Sequence, residues 1–285
     1  MTSEHGFVII DKPSGITSHD VVARLRKILG TRRIGHAGTL DPMATGVLVL
    51  GINNATKFLD YIVQGRKRYQ GTIRLGQSTT TDDREGDIIS QKSPLALSDD
   101  EIKSLLSTFV GSIMQSPSSV SAIKVDGKRA YERVRSGEKV ELPEREVTIY
   151  FLEVIAIRRS EYIDIDIEVS CSAGTYIRSI ARDLGERLGV GGHLTALHRS
   201  EVAPFLESDC SSMDAPTIRP LVEVLQSLMP IRRVSDVEVR DLRFGRVISR
   251  SDFSETGIAL GSGDEVVAII ANRDQGAQPL TVFNP

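Results

Sequence analysis

Two cysteines in 285 residues, Cys171 and Cys210, cannot supply a disulfide framework, and their separation excludes a CxxC metal knuckle. Cys171 lies in an apolar alternating run and reads as a small buried side chain. The five histidines show no HExxH or comparable ligand spacing, so no metal is expected. Neither GxGxxG nor GxxxxGK followed by Ser or Thr occurs, which removes the nucleotide-cofactor readings. No cofactor is expected. No stretch approaches the roughly eighteen continuous apolar residues that a membrane helix needs, and the opening M-T-S-E-H-G lacks a basic region followed by an apolar one. The expected location is cytoplasmic, with no membrane partner.

What is present fits a globular chain, with 40% hydrophobic and 26% charged residues and enough length for a catalytic domain plus a small appendage. The net charge of -3 hides an asymmetry. Residues 1 to 75 carry 11 Lys and Arg against 5 Asp and Glu, leaving the acidic excess to the remainder. A local basic field of this kind can attract phosphates while the whole protein stays acidic. Arg24, Arg26 and Lys27 read equally well as the solvated face of a helix.

Along the chain, Phe7 to Asp11 reads as a buried strand entering a turn built on Pro13 and Gly15. Thr17 or Ser18 caps a helix whose apolar face is Val21, Val22, Leu25, Ile28 and Leu29, and Gly30 ends it. Tyr69 to Leu75 alternates as a strand, whereas Gln77 to Pro94 is polar and acidic with no apolar period, which predicts an exposed loop. Ser98 with Glu101 makes a capping box. A hairpin around Asp126-Gly127 is followed by a short helix from Ala130 to Arg135. Strands over Val147 to Ile157 and Tyr162 to Ser170 alternate at period two, and a helix runs from Tyr176 to Leu188. Helices mixed with adjacent antiparallel strands predict an α+β fold, with a boundary near Pro230.

The most informative stretch runs from Arg33 to Gly51, R-I-G-H-A-G-T-L-D-P-M-A-T-G-V-L-V-L-G. Gly35 and Gly38 flank His36, and Pro42 stiffens the backbone at Asp41, so one carboxylate is displayed on a constrained loop. This loop resembles the catalytic loop of the TruB family of tRNA pseudouridine synthases. The resemblance continues, in the family's order, through Lys12 to Ser18, Lys67 to Gly71, Ser121 to Tyr131, Cys171 to Ser179 and Leu197 to Phe205.

That resemblance implies a pseudouridine-synthase-like fold over residues 1 to 230 and a small β-rich PUA-like RNA-binding domain over residues 231 to 285. Residues 77 to 109 match a tRNA-clamping insertion. The implied activity is isomerisation of the T-loop uridine, position 55 in tRNA numbering, to pseudouridine by base flipping, without cofactor or guide RNA. Asp41 matches the essential aspartate, and nucleophilic attack at C1′ or C6 and proton removal at C2′ all remain open to it. Arg178 matches the arginine that pairs with that aspartate, and Tyr69 the active-site tyrosine. By the same match, His36 is an RNA contact, Lys12 supports the Asp loop or meets a phosphate, and Tyr176 and Leu197 line the base pocket. Arg199 is expected to meet backbone phosphate. The partner is the tRNA T-arm, and the chain is expected to be a monomer.

Thr80, Ser116, His198, Ser200 and Ala203 depart from the family's usual Asp, Pro, Arg, Thr and Gly. Two rival readings are a guide-dependent, dyskerin-like subunit and an RNA-binding or tRNA-folding module with a vestigial pocket.

Overall fold

Apolar residues alternating with polar ones, and short runs buried on both faces, build most of the molecule as sheet. The computed structural model describes residues 4–118, 124–125, 128–129 and 143–283. Strand β1 (Gly6–Lys12) is buried almost throughout and leads into helix α1 (Ser18–Leu29). Thr17 caps α1 by accepting from the Asp20 amide, Asp20 accepts from the Thr17 amide in return, and Gly30 closes the helix at φ 65°. Val21, Val22 and Leu25 then pack on β1 and on β3 (Thr45–Ile52), which also pairs with β2 (Ile34–His36).

After a 3-10 turn and α2 (Leu59–Val63) comes β4 (Lys67–Leu75), whose residues 67, 69, 71, 73 and 75 all face inward. A small sheet follows, β5 (Gln77–Thr79) with β6 (Ile88–Gln91), then α3 (Asp99–Ser107) with its Ser98 to Glu101 capping box, and β7 (Gly111–Gln115). Strands β8 (Lys124–Val125) and β9 (Lys128–Arg129) form the expected hairpin pairing. The helix expected over residues 130 to 135 lies outside the described residues. Long strands β10 (Arg145–Arg159) and β11 (Ile163–Cys171) lead to α4 (Ile177–Arg187). β12 (Gly192–Val202), β13 (Phe205–Leu206), β14 (Arg219–Pro220) and α5 (Leu221–Leu228) complete this part of the chain.

The ten-stranded sheet has the order β14-β1-β3-β12-β4-β11-β10-β7, with β2 and β13 at its side. Its pairs are antiparallel except β12 with β3, which meet in parallel where His198 and Arg199 face Thr45 and Gly46. The fold is thus α+β, a largely antiparallel sheet flanked by helices. Ile177, Ile180, Ala181 and Leu184 of α4 share one core with Tyr69, Ile73 and Leu194 of the sheet. Directly after Pro230, β15 (Ile231–Arg233), α6 (Asp236–Arg243), β16 (Thr256–Leu260), β17 (Val266–Arg273) and β18 (Gly276–Val282) build a second, four-stranded sheet. Phe283 stacks on Phe58 at 4.9 Å, and the apolar cluster around this pair draws on both sheets.

The expectation of a plain exposed loop over Gln77 to Pro94 is corrected. Besides the β5 and β6 pair, the Arg84 amide donates to the Leu194 carbonyl, and the Leu194 amide to that of Asp82. The segment is therefore stitched to β12, because the edge of that strand turned away from β4 offers backbone partners there.

Gly46 is where the parallel join is tightest, with φ 103° and a space so narrow that a Cβ would fall 2.2 Å from the Arg199 carbonyl oxygen. Gly46→Ala should therefore cost about 3 kcal/mol of stability, from backbone strain and forced separation of β3 from β12. An unchanged urea midpoint would contradict this.

Candidate active site

The loop between β2 and β3 is braced from beneath. The Lys12 ammonium, fully buried, donates to the carbonyls of Pro13 (2.9 Å), Ile16 (2.7 Å) and Pro42 (3.3 Å). Ser18 on α1 accepts from the Leu40 amide at 2.9 Å, and the Gly15 amide donates to the Pro42 carbonyl at 2.8 Å. Asp41 is thereby held on a short span tied at both neighbours.

Arg178, in the first turn of α4, meets that carboxylate with two nitrogens on two oxygens, Nη2 to Oδ1 at 3.1 Å and Nε to Oδ2 at 3.0 Å. Its Nη1 donates to the Thr81 carbonyl at 2.9 Å and lies 3.3 Å from Oδ2 of Asp83. One guanidinium thus joins two carboxylates from separate parts of the chain. They differ in access, since the Asp83 side chain is 4% exposed and that of Asp41 33%. Asp83 accepts from the Thr81 hydroxyl at 2.5 Å and the Glu85 amide at 3.0 Å, so it is a fully engaged buttress. Asp41 is the carboxylate left open to a ligand.

Burial pushes the Asp41 carboxyl above its ordinary range, Arg178 opposes that shift most strongly, and Asp83 adds to it. The guanidinium is therefore what favours the charged form.

Asp41, Tyr69, Tyr176, Arg178, Leu197 and Arg199 share the walls of one cavity of about 240 Å³. That is smaller than the about 300–1,000 Å³ of sites for drug-sized ligands, and it suits one planar base. Arg145 covers the Tyr176 ring at 4.4 Å, giving that wall a cationic backing.

A TruB family pseudouridylate synthase N-terminal domain model matches residues 26–177, and a tRNA pseudouridylate synthase B C-terminal domain model matches residues 178–217. The chain belongs to the TruB family. Proteins named tRNA pseudouridine synthase B are similar to it over nearly their whole length. The one from Corynebacterium diphtheriae is 48% identical over 99% of this chain and 96% of its own. The one from Corynebacterium aurimucosum is 50% identical over 98% and 95%. Among solved structures, "Crystal Structure of a Cbf5-Nop10-Gar1 Complex" contains a chain with TM-score 0.70 and 26% identity, covering 98% of this chain and 85% of that one.

Of the residues matched to the family, Arg199 sits differently from expectation, and Lys12 takes the first of its two expected placements. Arg199 is 1% exposed, its Nε donating to the Val47 carbonyl at 2.8 Å and its Nη2 to the Gly38 carbonyl at 3.1 Å. It cannot lie on a backbone phosphate at the surface. Lys12 spends its donors on three carbonyls, which leaves the strut and removes the phosphate contact. His36 is half-buried on β2, edge-on to His19 with ring centroids 6.4 Å apart, and is not part of the cavity wall.

Sequence reasoning missed Asp83, which it placed in a solvated acidic run. It also missed Lys67 as a pocket residue. Lys67 lines the cavity, donates to the Gly65 carbonyl at 2.6 Å, and is lowered to about 8 by burial and then by Arg199. The inward period of β4 was the available signal for Lys67, two residues before Tyr69. For Asp83 no local signal existed.

Proposed function

We propose that this chain converts the T-loop uridine of tRNA, position 55, to pseudouridine, acting alone and without guide RNA. The observation that carries this reading is the Asp41 and Arg178 pair opening into a base-sized cavity beside Tyr69. The reaction breaks the bond from N1 to C1′ and joins C1′ to C5, while a proton leaves C5 and one arrives at N1. Nothing is oxidised and no group is imported. A stacked uridine shields C1′ and C5, so the base must swing out of the T-loop into the cavity, at a cost of a few kcal/mol.

Within that cavity Asp41 acts first, and each of its three routes begins from the ionised carboxylate. Arg178 keeps it ionised and sets its rotamer. Tyr69 stacks on the base and takes the C5 proton late in the reaction. Tyr176 and Leu197 form apolar walls, and His36 meets the RNA beside the emptied stack. Residues 77 to 109 clamp the T-arm, and residues 231 to 285 serve as a PUA-like RNA-binding unit. The protein works as a cytoplasmic monomer.

Purified protein incubated with an unmodified tRNA transcript should yield one pseudouridine, in the T-loop, mapped by chemical labelling and primer extension. A product that forms only when a guide RNA is added would overturn the stand-alone reading. The pH dependence follows from the same pair. Because burial raises the Asp41 carboxyl, the acid limb of kcat/KM should lie above the ordinary aspartate value of 3.8. Protonation of Asp41 removes activity as pH falls, so substitution of Arg178 should move that limb to still higher pH. A pH profile flat down to the ordinary carboxylate range would count against this.

A further inference from the structure

Arg199 is the largest of the fully buried side chains among the described residues, yet no step above uses it. Its strand β12 runs between β4 and β3, and the register sets Arg199 opposite Tyr69 on one side and Gly46 on the other. Residues directly opposite across a pair share a face, with Cβ atoms about 4.5–5.5 Å apart. Tyr69 and Arg199 are therefore neighbours by construction of the sheet, and both line the cavity. The guanidinium cannot swing, because the Val47 and Gly38 carbonyls hold Nε and Nη2. Nη1 lies beside Gly38, 3.5 Å from where a Cβ on that residue would stand, so the guanidinium is packed against the loop. A fixed cation thus faces a buried phenol. Burial pushes the Tyr69 hydroxyl up, and Arg199 is the chief group opposing that shift.

We propose that Arg199 is a positioning residue for Tyr69, fixing the direction of its phenol oxygen and stabilising the negative charge that oxygen carries while it accepts the C5 proton. The inference rests on the reading of Tyr69 as the C5 proton acceptor. Before that step the Tyr69 hydroxyl releases its own proton to solvent, leaving a phenolate beside Arg199. The C5–H bond then breaks, its electron pair returns to the pyrimidine ring, and the proton passes to the phenolate oxygen, restoring the phenol. A proton from solvent reaches N1, so charge and atoms balance. Val47 and Gly38 belong to β3 and the catalytic loop, and the same arginine therefore keeps the acceptor in register with Asp41.

The test is single-turnover conversion of T-arm RNA carrying either protium or deuterium at C5 of the target uridine. Arg199→Lys keeps a charge but loses the planar fork, and Arg199→Met loses both. Both variants should bind RNA like the wild type and react about 10- to 100-fold more slowly, the Met variant more so. The deuterium isotope effect should rise above the wild-type value, because proton removal becomes the slow step. A slower rate with an unchanged isotope effect would mean a merely structural role and overturn the proposal, as would an undiminished rate. Should the Met variant fail to fold, the Lys variant decides alone. A wild-type protein that forms no pseudouridine would instead overturn the functional reading itself.

Discussion

Asp41→Asn should abolish pseudouridine formation, lowering the single-turnover rate by at least about 10³-fold while RNA binding persists. Asparagine matches the carboxylate in size and keeps one oxygen for the Arg178 fork, so the loop tied by Lys12, Ser18 and Gly15 has no reason to move. What disappears is the ability to attack carbon or take a proton. The fold should not suffer. A carboxyl raised by burial stabilises the folded state below its unfolded pKa and loses that contribution as pH rises through the folded value. At neutral pH the ionised Asp41 is thus a cost to the fold, tolerated for activity. Arg178 still faces Asp83 in the variant, so no buried cation is stranded. The melting temperature at pH 7 should equal or exceed that of the wild type. Pseudouridine at wild-type levels would refute the assignment, and a marked loss of stability would refute the electrostatic account.

Arg178→Met should damage fold and activity together. The change leaves Asp83, 4% exposed, without its guanidinium, and breaking a buried pair on one side costs about 3–5 kcal/mol. It also lets burial drive Asp41 toward the neutral form, which cannot react. Arg178→Lys separates these effects. A point charge retains part of the attraction but cannot hold both carboxylates and the Thr81 carbonyl at once, so activity should fall about 100-fold with a smaller loss of stability. Adding Asp83→Asn to Arg178→Met removes the stranded charge and should recover most of the lost stability with none of the activity. Urea unfolding and single-turnover rates measured on the wild type, Arg178→Met, Arg178→Lys, Asp83→Asn and the double variant would check this. Full additivity of the two substitutions in stability would sink the shared-arginine model.

Local rules were readable wherever the cause is local. Thr17 and Asp20, or Ser98 and Glu101, are three residues apart and make their capping boxes irrespective of the rest of the chain. Period-two alternation predicted β4 and the inward side of Tyr69. The motif resemblance then named Asp41 and Arg178, which come from positions 137 residues apart and meet in one cavity. Asp83 was illegible because an acidic run without apolar period looks the same whether solvated or stitched to a distant strand. Arg199 was assigned outward for a related reason. A cation in sequence carries no mark of whether backbone carbonyls await it.

The amino-acid order alone determined the capped helices, the alternating strands and which family's motifs the loop around Asp41 carries. Tertiary structure decided which charges stand opposite one another. It set Arg178 between two carboxylates, Lys12 beneath the loop and Arg199 against Tyr69. The physical reason is that burial and hydrogen bonding between remote residues depend on strand register and packing, and neither is a property of any short stretch of chain.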